Sequence, residues 1–252
     1  AMERAQAREQ ETAVAAPATL HVTDAGQRIA LDLGHLQHLI ASACAGLSAD
    51  VKPEPILAET MRNLYDGVPM DEVFKAAILA TRTLIEKDPD YTYATARLLM
   101  HTITKEVLGA EVDPADMGRH YAEFFPLSIK KGVENQLLDE QLLHFDLQRL
   151  GQALKPERDL KFDYLGLQTL YDRYFLHVRK TRIELPQTFF MRVAMGLALN
   201  EIDREARAIE FYEVLSSFDF MSSTPTLFNS GTLRSQLSSC YLTTVPDDLD
   251  GI

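Results

Sequence analysis

The sequence is short of cysteines, of basic residues and of long apolar runs, and each shortage excludes a class of protein. Only Cys44 and Cys240 occur among 252 residues, so neither a disulfide framework nor a zinc cluster is encoded. Lys and Arg number 25 against 37 Asp and Glu, a net charge of -12 that argues against broad nucleic-acid binding. No apolar run is long enough to cross a bilayer, and the start of the chain lacks the apolar core of a secretory signal. These features favour a soluble globular protein in a reducing, cytoplasmic setting, with no membrane and no nucleic acid as partner.

Apolar spacing predicts a mainly α-helical chain. Residues 1–17, rich in Ala, Glu and Gln, lack an apolar stripe and indicate a linker or a frayed helix. A short hairpin turned by residues 24–26 follows, and a second, turned by residues 179–181, interrupts the later helices. Residues 238–244 have the pattern of a strand. Helical spacing covers residues 34–47, 54–65, 70–87, 91–108, 117–134, 140–154, 164–173, 186–199 and 203–218.

Small hydroxyl residues gather on both sides of residue 231, shortly before Cys240. Six Ser and Thr between residues 222 and 232 could donate hydrogen bonds to phosphate oxygens, and Pro225 and Gly231 set turns that a ligand can approach closely. A Ser- and Thr-rich surface loop is the alternative interpretation of the same composition.

The order of these residues closely resembles that in the large catalytic subunit of class I ribonucleotide reductase. The motif is Ser-Ser-Thr-Pro-Thr-Leu-Phe-Asn-Ser-Gly at 222–231, then Gln-Leu-Ser-Ser-Cys at 236–240 and Asp-Asp-Leu-Asp at 247–250. The likeness extends upstream through residues 159–174 and 182–196. It implies radical-based reduction of ribonucleoside diphosphates to deoxyribonucleoside diphosphates, with allosteric control by nucleotides.

The resemblance also implies a domain order. After the linker, an ATP-cone is expected over residues 18–109, as a small β-hairpin or sheet over a four-helix bundle. A helical domain would cover residues 110–220, and the first strands of a ten-stranded α/β barrel would cover residues 221–252. We therefore expect the chain to be an amino-terminal portion of a longer polypeptide, inactive alone because the radical cysteine and other catalytic residues would lie beyond residue 252.

The resemblance implies that three residues act at the substrate. Cys240 matches one member of the dithiol that supplies reducing equivalents to the ribose, a task that two neighbouring thiols perform by closing to a disulfide. Thr224 and Ser239 match substrate-binding positions, and a hydroxyl suits a diphosphate oxygen. Without the flanking motif, Cys240 would be interpreted as a buried thiol, and the two hydroxyl residues as caps or turn residues. Cys44, between two alanines in a predicted helix, is interpreted as a core residue.

An effector site is implied near the end of the chain. Asp247, Asp248 and Leu249 match the specificity site, where a bound deoxynucleoside triphosphate selects the base that is reduced next. An ionised Asp only accepts hydrogen bonds, so it suits a deoxyribose hydroxyl and not the triphosphate. From composition alone these residues would form a solvated acidic turn.

The ATP-cone departs from the pattern of its family. Functional cones carry a Lys-Arg pair at the hairpin tip and a basic residue at the start of the first helix, which together make a cationic cradle for ATP or dATP. Here Asp24 and Ala25 lie at the tip and Leu33 at the helix, and Lys105 remains near the end of the last cone helix. We expect this cone to keep its fold, to have lost most or all nucleotide binding, and to follow a functional cone upstream.

The resemblance implies partners, but no metal or cofactor bound by this chain directly. A small subunit would carry a metal-radical cofactor, thioredoxin or glutaredoxin would supply thiols, and the large subunit would form a homodimer or higher oligomer. Two alternatives stay open. One is a non-catalytic nucleotide-sensing or assembly module built on an ATP-cone, and the other is a class II enzyme that uses adenosylcobalamin.

Overall fold

The computed structural model describes residues 19–244 and is mainly helical, as the sequence predicts. The chain divides into two compact units, one ending at Leu98 and the other beginning at Leu99. Within the described range, no helix is long and apolar enough to cross a membrane. The predicted linker at residues 1–17 and the effector residues at 247–249 lie outside the described residues.

A three-stranded sheet and helices build the first unit. Its central strand, β1 (His21–Asp24), runs antiparallel to β2 (Gln27–Ala30) and parallel to β3 (Val68–Pro69). The hairpin between β1 and β2 is confirmed, whereas β3 was not predicted, because two residues are too few to show a pattern. The helices are α1 (Leu33–Cys44), α2 (Pro53–Arg62), α3 (Met70–Arg82) and α4 (Tyr91–Leu108), the last of which continues into the second unit.

Helix α3 shows how apolar spacing builds the core of this unit. On α3, Val73, Phe74 and Ile78 recur at helical spacing, and all three are buried. The start of α1 is fixed by Asp32, whose carboxylate accepts a hydrogen bond from the backbone N of His35 at 2.9 Å. This bond satisfies an N–H that has no partner inside the helix.

The described part of the second unit is mainly helical and contains one small hairpin. Strands β4 (His177–Val178) and β5 (Thr181–Arg182) pair antiparallel and are joined by Arg179 and Lys180, which confirms the second predicted hairpin. Its core is built on α8, in which Phe189 is among many fully buried residues. The α-helices wholly within this unit are α5 (Met117–Glu134), α6 (Leu147–Gln152), α7 (Tyr164–Thr169), α8 (Pro186–Ala198), α9 (Arg204–Ser216) and α10 (Thr224–Asn229).

Two predicted helices of this unit are interrupted. The helix expected over 140–154 is a 3-10 helix at Glu140–His144 followed by α6, because Asp146 caps a new helix by accepting from the backbone N of Arg149 at 2.9 Å. The helix expected over 164–173 is α7, which continues into a π turn at Leu170–Tyr174.

After residue 218 the structure differs from the prediction in two elements. Helix α10 was not predicted, because its six residues are too few for a periodic pattern, although Pro225 lies in its first turn as helices favour. The strand expected over 238–244 is absent from the structure, and Leu242 in that segment is fully exposed. A strand needs a neighbour to accept its hydrogen bonds, and among the described residues none lies beside this segment.

Candidate functional site

Thr224, a predicted substrate contact, is the first residue of α10 and is exposed. Its hydroxyl lies 3.0 Å from the hydroxyl of Tyr174. The ring of Tyr174 in turn stacks on Phe228, one helical turn further along α10, with ring centroids 4.6 Å apart. Tyr174 therefore contacts α10 at two points and holds the Thr224 hydroxyl at the surface.

A buried arginine holds the other end of α10. Arg192, on α8, is fully buried, and its Nη1 donates to the backbone carbonyls of Leu227 at 3.1 Å and Ser230 at 2.9 Å. These carbonyls lie in the last turn of the helix, where backbone oxygens have no partner within the helix. The Ser230 hydroxyl donates back to the carbonyl of Val193 on α8 at 2.7 Å. Three hydrogen bonds thus tie α10 to α8, two of them charge-assisted and one neutral.

Arg192 is neutralised by Glu184, which is also buried. Arg192 Nε donates to Glu184 Oε1 at 2.8 Å, and its Nη2 donates to Oε2 at 3.2 Å, so the ion pair is bidentate. Glu184 Oε2 also accepts from the backbone N of Leu176 at 2.8 Å, just before β4. One buried ion pair therefore joins α10, α8 and the β4–β5 hairpin, and each buried charge has a partner, as burial requires.

Two glycines allow α8 and the end of α10 to approach closely. A Cβ at Gly196 would lie 2.1 Å from the backbone N of Gly231, a distance that no side chain tolerates. Gly231 itself has φ +77°, a conformation that glycine adopts without strain. The Ser-Gly pair that closes the hydroxyl motif is thus explained by packing.

The segment that leads to Cys240 lies against α10. The Thr226 hydroxyl donates to the carbonyl of Leu237 at 3.1 Å, and Asn229 Nδ2 donates to the carbonyl of Gln236 at 2.7 Å. Cys240 follows three residues after Leu237, at most about 10 Å away along an extended chain. The structure thus brings the two halves of the motif together, the helix that begins at Thr224 and the segment that carries the cysteine.

The two cysteines have opposite environments. Cys240 is exposed, and its Sγ lies 3.6 Å from the hydroxyl of Ser239, which is exposed too. Cys44 is buried, and burial raises the pKa of its thiol to about 11. Because the thiolate is the reactive form, Cys44 is inert at neutral pH. The roles predicted for Cys240, Ser239 and Thr224 stay predictions.

Two basic side chains in the region of the expected cone lie beside acids. Arg28 on β2 pairs with Asp66, and Asp66 also accepts from the backbone N of His21 at 2.9 Å. Lys105 Nζ lies 3.4 Å from Glu111 Oε1. A shallow groove in the first unit is lined by no cationic side chain; its lining residues are Gln37, Ile40, Ala41, Pro53, Glu54 and Leu57.

A second buried polar network lies beneath the helices of the second unit. The Tyr121 hydroxyl donates to Asp159 Oδ2, and Gln187 Nε2 donates to Asp159 Oδ1, both at 2.7 Å. The Tyr212 hydroxyl donates to Gln187 Oε1 at 2.7 Å. Burial raises the pKa of Asp159 to about 7, although both hydrogen bonds act to lower it. This network connects α5, α8 and α9.

Sequence reasoning missed the Glu184–Arg192 pair and this network, although one signal was present. Arg192 is the only charged residue in the apolar helix α8. A charge within such a helix indicates a buried ion pair, because an unpaired charge is too costly to bury. The partner acid could not be identified from spacing, since Glu184 precedes the helix.

This chain is similar to alpha and large subunits of ribonucleoside-diphosphate reductase. A family model for the ribonucleotide reductase all-alpha domain matches residues 160–235. The chain is 45% identical over 218 residues to the ribonucleoside-diphosphate reductase subunit alpha of Chlamydia trachomatis, an alignment that covers 86% of this chain and 21% of that protein. It is 37% identical over 224 residues to the alpha subunit of Helicobacter pylori, with 88% and 27% covered. It is 35% identical over 217 residues to the large subunit of Danio rerio, with 84% and 26% covered. The chain thus spans roughly a quarter or less of the length of these relatives.

Proposed function

Because this chain belongs to the family of ribonucleoside-diphosphate reductase large subunits, we propose that it serves in the radical-based reduction of ribonucleoside diphosphates by a class I enzyme. The observation that carries this proposal is the anchoring of α10. A buried ion pair holds this helix, whose first residue carries an exposed hydroxyl, and the segment that leads to an exposed cysteine packs on the helix. Such preorganisation suits a site that must orient a substrate.

In the proposed reaction, Cys240 supplies half of a dithiol. Cys240 and a second cysteine of the complete enzyme close to a disulfide and deliver two electrons and two protons. The bond between ribose C2′ and its hydroxyl breaks, a hydrogen takes its place, and the hydroxyl leaves as water. A dithiol of thioredoxin or glutaredoxin then reopens the disulfide. Thr224 and Ser239 donate hydrogen bonds to the substrate.

The partners in this proposal follow from the class I reaction. A small subunit supplies the radical from its metal-radical cofactor, and the large subunit assembles as a homodimer or higher oligomer in the cytoplasm. A deoxynucleoside triphosphate binds at Asp247, Asp248 and Leu249 and controls which base is reduced. This chain's own part is to position substrate and thiol.

For the first unit we propose a structural or assembly role. Its hairpin tip carries an acid, its Arg28 is already paired with Asp66, and its groove has no cationic lining. A triphosphate carries several negative charges and needs cations to bind. The favoured interpretation is a cone that keeps its fold without sensing nucleotides.

A chimera tests the catalytic proposal. The matching stretch of the Chlamydia trachomatis alpha subunit is replaced by this chain, and deoxyribonucleoside diphosphate is measured with a small subunit and a dithiol reductant. The chimera should be active. Cys240→Ser should then lower turnover by at least about a hundredfold, because a serine cannot form the disulfide.

Cys44→Ala is the matched control for this experiment. It removes the other thiol, which is buried and inert, and should leave turnover within about twofold. Full synthesis by the Cys240→Ser chimera would show that the dithiol role is wrong. An inactive parent chimera that is folded would argue against the proposed function as a whole.

A further inference from the structure

The β4–β5 hairpin concentrates positive charge in an acidic protein. Four Lys and Arg residues lie between residues 173 and 182 of a chain with net charge -12. Among the described residues, no acidic side chain pairs with Arg173, Arg179 or Lys180. The nearest acid in sequence after the hairpin, Glu184, is buried and already pairs with Arg192. The charge of this hairpin is therefore available to a ligand.

The turn places two cations in an unfavourable backbone conformation. Arg179 has φ 50° and Lys180 has φ 75°, so both central residues of this two-residue turn are left-handed. Such turns strongly favour Asn-Gly, and a larger residue costs roughly 1 kcal/mol at each position. Strain of this kind is a reason to look for a function at the residues that bear it.

A shallow pocket opens beside this turn. Its volume is about 270 Å³, the size of a small molecule. One wall is rigid, because the guanidinium of Arg182 lies 4.0 Å from the ring centroid of Tyr171 and its backbone N donates to Glu106 Oε1 at 2.8 Å. The lining residues are Asp172, Arg173, Phe175, His177, Lys180 and Arg182.

We propose that this pocket binds the phosphate groups of a small polyphosphate-bearing compound. Arginine forks bind phosphate oxygens in pairs, and a lysine adds a mobile point charge. Three of the six lining residues are permanently cationic, against one acid, Asp172, which accepts from Gln168 Nε2 at 2.7 Å. The small volume of the pocket favours a small molecule over an acidic protein segment, which would need an extended surface. This site does not depend on the reductase role.

A double substitution tests the site without harming the fold. Arg179→Asn with Lys180→Gly removes two cations and installs the residue pair that this turn prefers, so the hairpin should be at least as stable as before. Tripolyphosphate is titrated into the 252-residue protein and into this variant by calorimetry, at low and at high salt. We expect salt-sensitive binding to the parent protein and at least about tenfold weaker binding to the variant.

Arg119→Gln with Lys130→Gln is the matched control, because it removes the same charge from the exposed side of α5. This control should bind tripolyphosphate within about twofold of the parent protein. Equal binding by the hairpin variant and the parent would overturn the proposal, and so would no binding by a folded parent protein at millimolar tripolyphosphate. Binding of polyglutamate without binding of tripolyphosphate would overturn it too, since the hairpin would then recognise an acidic protein segment.

Discussion

The two compact units bury different kinds of polar side chain. In the described part of the first unit, the fully buried polar residues are Thr60, Thr81 and Thr95, and each hydroxyl donates to the carbonyl four residues earlier in its own helix. In the second unit, the buried residues include Glu184 and Arg192, whose bonds join separate elements. A bond within one helix does not orient that helix, whereas a bond between elements does.

This difference indicates where the chain positions groups for function. Burying charges costs free energy, and a well-packed apolar core is often as stable or more so. What the second unit gains is a fixed position for α10 and for the β4–β5 hairpin, both of which end at the surface. In the described part of the first unit, the half-buried Arg97 on α4 donates to the carbonyls of Ala43 and Ala45 at the end of α1, but no ion pair of two buried charges joins separate elements.

The largest expected effect comes from breaking the buried pair. Arg192→Met leaves the Glu184 carboxylate buried without its cation and removes the donor to the end of α10. We expect the free energy of unfolding of the second unit to fall by about 3–5 kcal/mol, measured by urea denaturation.

An exposed pair provides the control for this substitution. Arg207→Met removes a partner of Glu210 at the surface of α9 and should leave the free energy of unfolding almost unchanged, because solvent screens an exposed pair. If Arg192→Met cost no more than Arg207→Met, the buried pair would not be what holds α10. The distinction between the two interiors would then lose its energetic basis.

The free energy of unfolding of the second unit should also depend on pH through the buried network around Asp159. Burial raises the pKa of Asp159 to about 7 in the folded protein, against 3.8 in the unfolded chain. Between these values the unfolded chain releases a proton that the folded protein keeps, so the contribution of Asp159 to stability decreases as pH rises from about 4 to 7. The slope is at most roughly 1.4 kcal/mol per pH unit.

Asp159→Asn removes this titration. Unfolding free energies of the parent protein and the variant are compared at pH values from 4 to 8, and the difference between them should change across the window and become flat above pH 7. Tyr121→Phe removes one hydrogen bond to the carboxylate and leaves the titrating group, so the pH dependence should persist in that variant. A constant difference between parent and Asp159→Asn would show that Asp159 is ionised throughout.

Long helices were predictable from the sequence and short elements were not. Helices α4 and α5 have the predicted bounds, because each repeats an apolar pattern over five turns. Helix α10 depends on bonds from Arg192 and Tyr174, which lie more than thirty residues away in sequence, so no local pattern predicts it. The strand expected over 238–244 failed for the same reason, since alternation alone cannot supply a neighbouring strand.

In the candidate site, too, some residues could be predicted from the sequence and others could not. Thr224, Ser239 and Cys240 were predicted from the order of a motif, and the structure adds that Thr226 and Asn229 hold its two halves together. The residues that anchor them could not be found, because an ion pair between a loop acid and a helix arginine has no fixed spacing. Resemblance thus identifies groups at a surface, and only the fold identifies what positions them.

The smallest expected effect is that the first unit shows no binding of ATP or dATP. ATP and dATP are titrated into the Arg179→Asn, Lys180→Gly variant, so that binding at the hairpin pocket is weakened. We expect no binding tighter than millimolar, because Arg28 is paired with Asp66 and the groove beside α1 has no cationic lining. A cooperative melt must show that the variant is folded. Micromolar binding, about 8 kcal/mol of free energy, would mean that the first unit recruits other cations and does sense nucleotides.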